Sequence, residues 1–189
     1  MKSYYTRAFW GIIFIYFNIN LGRFDILPNF IGYYMIATGL GGLSQKNQAY
    51  RAGKIPAYIM VLASFLSLLY PQNIYSHEIT PSNLWMFGIS GIFALSNIVI
   101  VYAVCTGVYN EAEYFQNTDL LIRSKICWQW FFCFTSINMI LMPFILSKFK
   151  WVTAVNFFVS ILSIICVMSA AGLLRSARDR FTTGIDINS

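Results

Sequence analysis

The chain predicts an all-α fold: a polytopic membrane helix bundle of about six transmembrane helices, with both termini cytoplasmic. Three observations carry this. First, 58% of the 189 residues are apolar, 18% are aromatic and only 11% are charged, against about 25% charged in an ordinary soluble domain. Second, the apolar residues fall in continuous runs rather than in alternation. Inside lipid the backbone must satisfy its own polar groups, so only helices and closed barrels span it, and unbroken runs speak against a barrel. Third, Lys and Arg are shared unevenly between alternate connections. The net charge of +6 is therefore an orientation signal rather than a nucleic-acid footprint. The bilayer is the expected partner, and nucleic acid is not.

Six runs are read as spans: 4–21, 26–43, 55–70, 84–109, 126–146 and 151–174. A crossing takes about 17–25 residues, and the third run is the shortest. Together they make one integral-membrane domain, 1–189, with no room for a separate soluble one. No cleavable signal peptide is expected, because the first run lacks a small-residue cleavage site and leads straight into the second. Arg7, inside the first run, must snorkel to the near interface. With the N-terminus inside, Lys2, Arg7, Lys46, Arg51, Lys54, Arg123, Lys125, Arg175, Arg178 and Arg180 are cytoplasmic. Only Arg23, Lys148 and Lys150 lie outside. The positive-inside rule thus puts both ends in the cytoplasm. Trp10, Trp85, Trp128, Trp130 and Trp151 fall near the starts of runs, where an amphipathic ring sits at the headgroups.

The connections follow in order. The corner Asp25-Ile26-Leu27-Pro28-Asn29-Phe30-Ile31-Gly32-Tyr33 joins the first two runs with almost no loop. Asp25 is the expected cap of the second helix, and Pro28 falls in its first turn, where a missing N–H is tolerated. Gly32 and Gly39, seven apart, lie on one face and admit a close neighbour. The simplest neighbour is the first helix, with Gly11. Gly41-Gly42-Leu43-Ser44-Gln45-Lys46 reads as a helix stop and a basic loop. Thr80 reads as an N-cap with Pro81 at the first helical position. The stretch 110–125, with Glu111, Glu113, Asp119, Arg123 and Lys125 interrupted by Leu120, Leu121 and Ile122, reads as a cytoplasmic helical extension plus a turn. It is the largest inner connection and the expected docking surface.

The first hairpin also carries a resemblance. Asn18-Ile19-Asn20-Leu21-Gly22, then the corner, then Ile36-Ala37-Thr38-Gly39-Leu40-Gly41 resemble a group of small multi-pass bacterial membrane proteins, largely uncharacterised. These are marked by an Asp-Ile/Leu-Leu-Pro-Asp-Phe-Ile/Val-Gly-Tyr hairpin. Gly107-Val108-Tyr109-Asn110-Glu111-Ala112 is a weaker likeness. The chain departs at Asn29, where the group has Asp. The resemblance covers about residues 12–43 and implies a bacterial inner-membrane location. It brings no activity with it.

Two polar constellations are candidate sites. One is an outer-interface cluster of Asn18, Asn20, Arg23, Asp25 and Asn29. The other is an intramembrane path of Asn97, Asn138 and Asn156, which with Ser96, Ser136 and Ser160 either bridges helices or lines a route for a neutral solute. Catalytic and metal chemistry is not expected. His77-Glu78 opens like a zinc-protease helix, but the chain holds one His, so the ligand pair cannot form. Glu111-Ala112-Glu113 lacks the adjacent Glu pair of membrane proteases that process prenylated proteins. Cys105, Cys127, Cys133 and Cys166 contain no Cys-x-x-Cys and read as buried free thiols. No cofactor is expected. The expected role is non-enzymatic: an accessory, regulatory or interaction protein with a membrane protein partner or a second copy of itself. The alternative is a small permease or channel for a neutral or weakly polar solute.

Overall fold

Helices form where the apolar runs lie, and the ends are set by local chemistry that the runs do not show. The computed structural model describes residues 2–16, 20–21, 24–25, 29–69, 81–145 and 150–183. The helices are α1 (Lys2–Tyr16), α2 (Asn29–Leu43), α3 (Arg51–Leu69), α4 (Pro81–Tyr114), α5 (Thr118–Ile145) and α6 (Lys150–Thr183). A two-residue antiparallel ladder, β1 (Asn20–Leu21) with β2 (Phe24–Asp25), lies between α1 and α2. The sequence predicts Asp25 as a cap on α2. Asp25 pairs with Asn20 across the ladder, and α2 is described from Asn29. Residues 26–28, where a cap would meet the helix, lie outside the described residues.

Asn47 starts the third helix earlier than its apolar run. Its Oδ1 accepts the Ala49 N–H at 3.0 Å and caps a 3-10 turn, Gln48–Tyr50, which leads into α3 at Arg51. The helix runs on through Pro56, whose missing N–H forfeits one bond of the ladder. Pro81 begins α4 as expected; Thr80 and His77 lie outside the described residues. The stretch 110–125 is almost wholly helical. α4 continues to Tyr114, Gln116 turns the chain with a left-handed φ of 53°, and the Asn117 Oδ1 accepts the Leu120 N–H at 3.1 Å to cap α5. Asp119 in that first turn suits the positive end of the helix. The connection is therefore a three-residue turn between long helices.

Each helix packs on the next in sequence, and α1 returns against α6, so the six close into a ring braced by contact between α4 and α6. The closest seam is α1 against α2. A Cβ at Gly39 would lie 2.8 Å from the Ala8 nitrogen, and one at Gly11 would lie 2.7 Å from the Gly32 carbonyl oxygen. Backbones touch because side chains are missing, as the seven-residue glycine spacing predicts. Buried side chains gather toward the end of the ring that holds both termini: Tyr5, Leu40, Tyr50, Val108, Leu120 and Leu174.

The outward faces are apolar all round. Ile55, Ile59 and Leu62 of α3, Leu95 and Val99 of α4, Ile140 and Phe144 of α5, and Phe157, Phe158 and Ile165 of α6 are exposed. Among the described residues two segments, Gly91–Tyr114 and Trp151–Phe181, are long and apolar enough to cross a membrane, against the six spans expected from the sequence. α4 and α6 have 34 residues each, about 51 Å at 1.5 Å per residue, which exceeds the roughly 30 Å of a hydrocarbon core.

Candidate functional site

At the terminus-bearing end, three elements bring ionisable side chains into the core. Tyr5 lies on the buried face of α1, where positions 5, 8 and 12 recur at helical spacing. Tyr50 ends the 3-10 turn, and its ring lies directly against Gly107 of α4, which has no side chain to obstruct it. Glu111 is on α4, one turn beyond Gly107. Tyr5 donates its hydroxyl to Glu111 Oε2. Glu111 is only 4% exposed, and its Oε1 has no hydrogen-bond partner among the described residues. The Tyr50 hydroxyl lies beside both groups without completing a hydrogen bond of ordinary geometry. Burial, then the Glu111 and Tyr5 neighbours, push the Tyr50 phenol well above its usual value, so it stays protonated and able to donate.

The surroundings hold this cluster from outside. Lys46 acts on Glu111 electrostatically and sits 5.4 Å over the Phe115 ring. Phe115 stacks on Phe181 at 4.8 Å. The Asn47 Nδ2 donates to the Gly107 carbonyl at 3.1 Å. Burial pushes the Glu111 carboxyl above its usual value, and the Tyr5 phenol and the Lys46 ammonium offset this only in part. The arrangement holds protons and ties α1, the 3-10 turn and α4 together. Sequence reasoning misses it by placing Glu111 in a polar connection. The signal was there: Ile100, Val104 and Val108 are spaced by four, and continuing α4 past Tyr109 carries positions 111 and 112 onto the same buried face.

The sequence-predicted sites fare unevenly. Asn18 and Arg23 lie outside the described residues. Asn20 and Asp25 face each other in the ladder. Asn29 opens α2 with its Oδ1 buried and unpartnered among the described residues. The three mid-run asparagines divide into two groups. Asn97 accepts the Tyr33 hydroxyl at 3.3 Å, joining α4 to α2. Asn138 donates to the Ser163 Oγ at 3.3 Å and accepts from the Ser160 Oγ at 3.2 Å, joining α5 to α6. Asn156 enters that second group through its backbone carbonyl, which accepts from Ser160 at 2.8 Å. Asn138→Leu is therefore expected to lower bundle stability by about 0.6–2 kcal/mol, read from unfolding midpoints in detergent. No loss would show that these bonds do not brace α5 on α6.

Two shallow clefts flank α5. One, of about 130 Å³, is lined by Cys105, Thr106, Tyr109, Ser124, Lys125 and Trp128. The other, of about 260 Å³, is lined by Arg123, Ile126, Cys127, Trp130, Ile165, Cys166 and Ser169. Three cysteines from different helices meet between them. The Cys105 and Cys127 thiols are neighbours, and the Cys127 Sγ donates to the Cys166 carbonyl at 3.3 Å. Cys105 and Cys127 are buried free thiols as expected. Cys133 corrects the expectation: it is exposed on the outer face of α5. Nothing in their spacing signals the meeting, since it depends on helix packing. Among the described residues no group of three His, Cys, Asp or Glu side chains is placed to hold a metal ion. No protein-family model, curated protein or solved structure matches the chain.

Proposed function

We propose that this chain is an integral membrane protein with six spans, both termini in the cytoplasm, that acts through protein contacts rather than by catalysis or solute transfer. A bacterial inner-membrane location is part of the proposal and rests on the hairpin resemblance. The observation that carries the mode of action is the use of the intramembrane polar groups. Asn97, Asn138 and Ser160 are engaged between helices, and the Asn156 carbonyl takes the Ser160 hydroxyl within α6. The two clefts around α5 are shallow, and neither reaches the roughly 300 Å³ at which small-molecule pockets begin. The exposed aliphatic and aromatic side chains on α3 to α6 support burial in lipid, since a water-soluble monomer rarely exposes so large an apolar surface.

The contact surface is the turn between α4 and α5. Tyr114 is 81% exposed there, beside half-exposed Phe115 and Ile122, and exposed aromatics are favoured anchors at protein interfaces. Crosslinking and pull-down from native membranes tests this. A specific membrane protein is expected to be captured, with capture falling several-fold for Tyr114→Ala. Solute flux in reconstituted vesicles that falls when Asn97, Asn138 and Asn156 become Leu would instead establish the permease reading. Orientation has its own check. In a cysteine-free background, Ser3→Cys is expected to react with an impermeant maleimide only after the membrane is opened. Labelling of intact cells would place the N-terminus outside.

A further inference from the structure

The larger cleft beside α5 has a chemical gradient along its length. α5 and α6 run antiparallel, because Cys127 meets Cys166 while Asn138 meets Ser160 and Ser163. Arg123 therefore lies toward the terminus-bearing end, and Trp130 and Ile165 lie deeper. At the charged end, Arg123 Nη1 and Arg180 Nη2 each lie 3.7 Å from the same Asp119 oxygen. Arg123, which lines the mouth of the cleft, thus shares the Asp119 carboxylate with a second guanidinium. Deeper, the walls are Ile126, Trp130 and Ile165, all exposed. The Trp130 ring stacks on Phe134 at 5.5 Å, extending the apolar wall.

A cation above an apolar groove with an indole at the boundary matches one ligand chemistry, an anionic headgroup carrying an acyl chain. We propose that the α5–α6 cleft binds an anionic phospholipid of the cytoplasmic leaflet, its phosphate at Arg123 and a chain along Ile126, Trp130 and Ile165. The proposal rests on the membrane reading above. In that reading Arg123 falls just before the fifth span, 126–146, at headgroup level. An arginine fork suits a phosphate oxygen pair better than a lysine point charge.

The test is native mass spectrometry of the full chain, released from detergent after incubation with phosphatidylglycerol or phosphatidylcholine. Selective retention of phosphatidylglycerol is expected. Arg123→Gln should reduce it about fivefold, the effect of one basic residue near a lipid surface, while Lys125→Gln on the other side of α5 should not. Ile165→Trp, which fills the groove and leaves the charges in place, should also reduce it. Equal retention of the two lipids, or equal loss from both glutamine variants, would overturn the site. So would displacement by millimolar inorganic phosphate, which would show an anion site without a chain. Recovery of the protein from cells in the aqueous phase without detergent would overturn the membrane reading and this site with it. Recovery in membranes without lipid selectivity would overturn the site alone.

Discussion

Gly39→Ala is expected to destabilise the folded bundle by about 1–3 kcal/mol, the range for forcing an extra carbon into a filled interior. The new Cβ would lie 2.8 Å from the Ala8 nitrogen, 2.9 Å from the Ala8 Cβ and 2.9 Å from the Tyr4 carbonyl oxygen. Two of those atoms are backbone, so no rotamer change relieves the contact. The helices must separate, and the whole α1–α2 seam loses packing. Gly39→Leu is expected to prevent the seam from forming. Two glycines serve as controls. A Cβ at Gly41 meets the Lys54 side chain at an ordinary 3.5 Å, and one at Gly172 meets nothing within 4 Å. Gly172→Ala is expected to be neutral or to stabilise by up to about 1 kcal/mol through helix propensity. Unfolding midpoints of all three variants in one detergent decide the matter. If Gly39→Ala melts with the controls, α1 and α2 do not meet backbone to backbone.

The second large effect is expected at Glu111. Glu111→Ala leaves the Tyr5 hydroxyl without its acceptor and opens a cavity beside the fully buried Tyr50 ring. A buried donor left unpaired costs about 1–3 kcal/mol, to which the cavity adds. Glu111→Gln keeps the shape and an acceptor oxygen, so its loss is expected to be smaller. Tyr5→Phe removes the donor and is expected to cost about 1–3 kcal/mol by leaving both carboxyl oxygens unpartnered. The decisive measurement is the double-mutant cycle of Tyr5→Phe with Glu111→Gln. Coupling of about 0.5–3 kcal/mol is expected for a direct partner pair, and additive losses would mean the two side chains do not act on each other. In a three-element latch of this kind, loss of Glu111 should also loosen the 3-10 turn. Asn47, bonded to the Gly107 carbonyl, would then be expected to show faster amide exchange around residues 47–50.

Much of the architecture is legible in local chemistry. Pro81 starts α4 where a proline is tolerated, and Gly11, Gly32 and Gly39 mark the tightest seam. The helical extension and turn across 110–125 are visible in the mixed polarity, but their consequence is not. Glu111 looks like one more solvated charge beside Glu113, yet it is buried while Glu113 is exposed. Two residues along a helix turn a side chain by about 200°, so the difference rests on which direction faces the ring. Asn97, Asn138 and Asn156 look alike as mid-run polar residues. Their partners are Tyr33 in one case and Ser160 and Ser163 in the other, and no spacing in the chain distinguishes these.

By itself the sequence determined the all-helical class, the apolar runs and the charge asymmetry between their connections. Hydropathy and charge add up locally along the chain, so no knowledge of neighbours is needed to read them. Only the tertiary structure decided that the helices close into a ring, that Tyr5 meets Glu111 across 106 residues, and that Arg123 stands at the mouth of a cleft shared with α6. Those outcomes depend on which helix lies opposite and how far it is turned about its axis. Both are set by the fit of side chains from distant segments, such as the glycines that let α1 and α2 touch.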